Sequence, residues 1–258
     1  MATAPLPPTT SEISAAAPQA APLSQLERIV NTFIAPSKTF TDIRRSAAWW
    51  APFILMVIVT WAFVFTAGQK VGFEKIAENQ MQAQPRQQAQ MESMPAADRA
   101  RAMAMAGKFT AGIGYAFPAI QLLIMVILGA LFFAMLKMAA GVDVSFGKVF
   151  AVLIYAGLPG ILRALLAIVT LYAGASPDSF TFQNPLGSSL GYYLNPADSQ
   201  FLYSLGSQID LFLIWTLVLT AIGFTCISKV KRGTSFAMVF GTWVFFTLLF
   251  SLPALLFK

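Results

Sequence analysis

Five apolar runs, each long enough to cross a hydrocarbon layer of about 30 Å, constrain this chain more than any other feature. They lie at about 49–67, 112–138, 149–173, 207–228 and 234–257. Charged residues make up only 11% of the sequence, against about a quarter in soluble domains, too few to coat a water-soluble globule of this size. The fold expected is therefore all-α: an integral membrane bundle of five transmembrane helices in one membrane domain, 23–258. It is preceded by an Ala/Pro-rich tail, 1–22, which carries a single charge, Glu12, and has the composition of a disordered segment. The tail lacks the basic and apolar regions of a signal peptide.

Histidine is absent, which removes the commonest general base and metal ligand. Cys226 is the single cysteine, so no disulfide can form within the chain. No catalytic, cofactor-binding or metal motif is present, and the expectation is a non-enzymatic protein without cofactor. Met91, Met94, Met103 and Met105 allow two readings, a Cu(I) relay or filler in a polar helix; with no histidine or second cysteine, filler is favoured. The net charge of +6 contains no long basic run, so the bilayer rather than nucleic acid is the expected partner.

Before the first span, Leu26, Ile29, Val30, Phe33 and Ile34 recur at the spacing of one helix face. Pro36 closes that helix, and Ser37 is a candidate cap for a second one carrying Phe40 and Ile43. Arg28, Lys38, Arg44 and Arg45 lie at the polar edges, a membrane-surface face suited to anionic lipid. Packing of both helices on the protein's own cytoplasmic face is the equal alternative.

Lys and Arg in short loops set orientation. Lys137, Lys148, Lys229, Lys231 and Arg232 fall on the same side as the basic pre-span segment, whereas the loop 174–206 has neither residue. The amino terminus is therefore expected in the cytoplasm. The other outward loop, 68–111, conflicts with the rule because it holds six Lys and Arg residues. Its Pro85 and Pro95 are the expected breaks between polar helical turns.

Arg163 falls inside the third span, where an unpaired arginine costs about 2.5–3.5 kcal/mol on insertion scales. It needs a partner. Asn195-Pro196 is read as the start of a long fourth helix that carries Asp210 to the depth of Arg163. An Arg163–Asp210 pair could fix helix register or serve a solute path, and the structural role is favoured. Pro159 and Gly160 mark a kink four residues before this charge. Gln121 in the second span is read as a single interhelical hydrogen bond.

The pre-span sequence Pro36-Ser-Lys-Thr-Phe-Thr-Asp-Ile43, the entry Trp49-Trp50-Ala-Pro52-Phe53, and the run Gly147-Lys-Val-Phe-Ala-Val-Leu-Ile-Tyr155-Ala-Gly-Leu-Pro159 resemble the Yip (Ypt-interacting protein) family. The resemblance implies five clustered spans, a cytoplasmic amino terminus and a membrane scaffold or adaptor with protein partners on the cytoplasmic side; eukaryotic members are associated with Rab-type GTPases and trafficking. The Asp-Leu-x-Gly-Pro run of the eukaryotic branch is missing, and the long outward loop is similar to that of bacterial members. The resemblance thus implies the bacterial inner membrane, with a eukaryotic endomembrane as the alternative. A small-solute or ion transporter using the Arg-Asp pair is the competing function, and a homo-oligomer fits either.

Overall fold

A computed structural model describes residues 21–256, so the expected tail lies almost wholly outside the described residues. Secondary structure among them is helical, with a single isolated bridge, Ser189 to Asp210, and no strand. Helices α1 (Gln25–Ile34) and α2 (Pro36–Ile43) form a hairpin ahead of α3 (Trp50–Lys70). The connection after α3 is built from α4 (Phe73–Gln82) and α5 (Pro85–Glu92), and leads into α6 (Ala96–Ala134). Then follow α7 (Phe146–Ala156), α8 (Pro159–Tyr172), α9 (Gln200–Ser207), α10 (Leu211–Ile227), α11 (Arg232–Ser251) and the short α12 (Pro253–Leu256).

Four stretches are long and apolar enough to cross a membrane: Trp50–Lys70, Ala96–Met138, Phe146–Tyr172 and Arg232–Ser251. The fifth apolar helix, α10, has only 17 residues. Its shortness has a local cause, because the backbone breaks at Gln208 and Ile209 before Asp210 caps the helix. The second apolar run extends far beyond its expected start: α6 has 39 residues, about 58 Å, so its first turns rise clear of any bilayer with α4 packed against them. Pro85 and Pro95 do start helices here, at the first turn of α5 and the N-cap of α6.

The third apolar run is two helices rather than one kinked helix. Pro159 has no N–H, and the preceding turn tightens: Leu158 N–H donates to Tyr155 O at 3.1 Å, and Gly160 N–H to Gly157 O at 3.0 Å. The first half, α7, is the axis of the bundle. Every residue from Val149 to Ala156 is buried, which accounts for its hydrophobicity all round. Helices α2, α3, α6 and α10 surround it.

Close approach at this axis depends on missing side chains. A Cβ on Gly223 of α10 would lie 2.4 Å from Val152 Cγ1 and 3.2 Å from Phe40 Cδ1. Valine is stiff at χ1 and cannot swing aside. Gly223→Ala is therefore expected to lower stability by about 1–2 kcal/mol despite its gain in helix propensity. Gly241→Ala in α11, where a Cβ meets nothing within 4 Å, is expected to raise it by about 0.5–1 kcal/mol. Thermal unfolding of both variants in one detergent checks the contrast.

Candidate functional site

Two clusters of buried polar groups stand out from the apolar bundle. The first belongs to the N-terminal hairpin. Ser24 and Glu27 form a capping box that starts α1, and the Ser24 amide holds the Glu27 carboxyl below the usual carboxylate range. Pro36, not Ser37, begins the second helix, sitting in its first turn after Ala35. Arg28 does not lie on a membrane-surface face. It is 2% exposed, with its guanidinium against Asp42 at 2.7 Å and Nη1 donating to Ser46 O at 2.9 Å. The Arg28 carbonyl also accepts from Thr32 and Thr39, both at 2.8 Å. A guanidinium placed on lipid would satisfy itself with phosphate; here the protein supplies the acceptors instead. Lys38, Arg44 and Arg45 are exposed.

The hairpin lies alongside α10. Phe33 meets Trp215 edge-on at 5.8 Å between ring centroids, while Phe40 reaches Gly223, two turns further along α10. Tyr155 of the axial helix donates to Gln25 Oε1 at 2.7 Å and so ties the start of α1 to the core. The apolar face read from the sequence divides in two. Ile29 and Phe33 pack inward, whereas Leu26, Val30 and Ile34 form an outward stripe.

The second cluster surrounds Arg163. Met56 of α3 lies against Gly157, and Arg163 is six residues on, about 9 Å, which places it level with Ala62 in the interior of α3. Its Nε is 3.5 Å from Asp210 Oδ2, within ion-pair range but without a hydrogen bond. Its Nη2 donates to Gln183 O at 2.7 Å. Asp210 is not carried inside a long fourth helix. Asn195-Pro196 makes a turn, with Asn195 Oδ1 accepting from Ala197 N–H at 3.0 Å, and Ser199 caps α9. Asp210 itself caps α10, Oδ1 accepting from the Phe212 and Leu213 amides at 2.9 and 3.1 Å. Ser188 donates to its other oxygen at 2.5 Å.

Residues that sequence reading missed complete this hub. Asn184 donates to Tyr203 Oη at 3.2 Å and Ser207 Oγ at 2.9 Å, and accepts from Ser189 Oγ at 2.7 Å. The hub ties the loop after α8 to α9 and α10. Pro159 is buried at the helix break, and Gly160 is exposed, with nothing within 4 Å of where its Cβ would be. Gln121 has one weak partner, Met56 Sδ at 4.0 Å.

The roles of the pair differ, and so should their loss. Asp210→Ala removes a helix cap, an ion-pair partner and the Ser188 acceptor, and is expected to cost about 2–4 kcal/mol. Arg163→Met is expected to cost less, about 1–2 kcal/mol, because Arg163 caps no helix and its loss leaves Asp210 held by two backbone amides and Ser188. Unfolding of both variants in mild detergent, measured by circular dichroism, tests the ranking.

No group of three or more His, Cys, Asp or Glu side chains suited to a metal ion occurs among the described residues. A family model described as the Yip1 domain matches residues 30–253. No curated protein and no solved structure matches the chain.

Proposed function

This chain belongs to the Yip1 domain family, and on that premise we propose that it is a non-enzymatic membrane scaffold that presents its N-terminal hairpin to partner proteins. The Arg28–Asp42 lock carries this reading. Burying two charges costs several kcal/mol in desolvation, and the best-attested return on such a pair is a fixed register. A helix that merely floated on lipid would need no such fastening. Lys38, Arg44 and Arg45 then form a cationic edge for the acidic surface of a partner protein, with the apolar stripe of α1 beside it. We place the amino terminus in the cytoplasm and the protein in the bacterial inner membrane, on the basic pre-span segment and the form of the outward loop.

The competing reading is a solute or ion transporter built on Arg163 and Asp210. What supports it is the polar lining that Arg163 and Gln121 give to a cavity between α3, α6 and α8. Weighing against it, Asp210 is engaged by two backbone amides and Ser188, and Arg163 by a loop carbonyl. A charge relay needs groups free to change partners.

Affinity isolation of the tagged full-length protein from native membranes, quantified by mass spectrometry, tests the proposal. A stoichiometric partner is expected with the unaltered protein and with Arg163→Met. It should be lost when Lys38, Arg44 and Arg45 are all replaced by Gln. A homo-oligomer with no partner, or a partner indifferent to the hairpin variant, overturns it.

A further inference from the structure

The cavity between α3, α6 and α8 has a volume of about 480 Å³, in the range of small-ligand sites. It exists because two helices diverge. Helix α6 packs on α7 at Gly129, against Phe146 and Phe150, but makes no comparable contact with α8. Between them a side opening is left at the depth of the apolar spans, edged by the exposed Ile113, Phe117 and Gly160. The walls are mostly apolar, with Thr60, Thr110 and Gln121 among them, and the loop residues Gln183 and Pro185 line the end beside Arg163.

Beside that loop the guanidinium has one nitrogen to spare. Nε faces Asp210, Nη2 donates to Gln183 O, and Nη1 has no hydrogen-bond partner among the described residues. The volume suits a single hydrocarbon chain and is too small for a two-chain phospholipid. A charged donor in a mostly apolar slot calls for an oxygen acceptor at the end of a hydrocarbon chain.

We propose that this cavity binds a long-chain carboxylic acid, entering sideways from the bilayer between α6 and α8, with its carboxyl group accepting a hydrogen bond from Arg163 Nη1. Gly160 keeps the entrance open, since a side chain there would project into the slot without meeting protein. The proposal is independent of the scaffold reading.

The test uses the full-length protein in phospholipid nanodiscs with a long-chain fatty acid carrying a photoreactive diazirine, and maps labelled peptides by mass spectrometry. Labelling is expected on the α6 segment holding Ile113 and Phe117, with free oleate competing. Methyl oleate should compete at least about tenfold less well, because its ester loses the charge-assisted bond. Phosphatidylglycerol should not compete. Gly160→Leu, which fills the slot where no neighbour is displaced, should reduce that labelling about tenfold while thermal stability is held. Its effect reads the slot separately from the charge pair. Labelling that spreads evenly over α6 and the exposed Phe245 and Phe250 of α11, persists in Gly160→Leu, or is competed equally by phosphatidylglycerol overturns the proposal.

Discussion

A helix buried on every side must be surrounded, and the segment Val149–Ala156 imposes that requirement on the whole bundle. Four helices have to reach it, and each does so by a local device. Helix α10 approaches through Gly223, α3 sets Met56 against the Gly157 position, and α6 comes in through Gly129 onto Phe150. The N-terminal hairpin supplies Phe40 and Ile43, both fully buried. Without the hairpin one flank of the axis would be bare, so the hairpin is part of the bundle and not an appendage to it. The helix break at Pro159 follows from the same crowding: below it the chain is sealed in protein, and above it α8 turns one side to the cavity.

Both buried ion pairs act as fasteners between segments remote in sequence. Arg28 joins α1 to α2 and to the irregular segment before α3 through Ser46 O. Arg163 joins α8 to the following loop and to the start of α10. In each case the cation also binds a backbone carbonyl, and Asp210 is held besides by two backbone amides and Ser188. The two sites nonetheless differ in kind. Arg28 and Asp42 are sealed, with side chains 3% and 6% exposed, whereas Arg163 opens onto the lateral cavity at 29%.

The class of fold was legible in the sequence because membrane helices must satisfy every backbone group internally, and long apolar runs leave few other solutions. The Yip resemblance rested on short stretches around Pro36, Trp49 and Gly147, and the family match extends over 30–253. Local chemistry was harder to read. The hydrophobic periodicity of α1 gave its helix but not which half of the stripe turns inward. The pairing of Arg28 is hidden in the sequence because its partner, Asp42, lies 14 residues away and sequence alone does not show a hairpin folding back at Ala35. Asp210 was set inside a helix because Asn195-Pro196 resembles a helix start; Ser199 was the actual cap, and the acid before Leu211 was a second capping signal. Asn184 and Ser188 carried no signal at all, being ordinary loop residues until the loop folds against the bundle.

The central claim is that the intramembrane charges hold this protein together and do not move a solute. Proton and ion flux through proteoliposomes containing the full-length protein, driven by imposed pH and voltage gradients, tests it most directly. The account predicts leakage no greater than in liposomes holding an unrelated membrane protein at equal density. Flux above that level, abolished by Arg163→Met in protein that still folds, would contradict it.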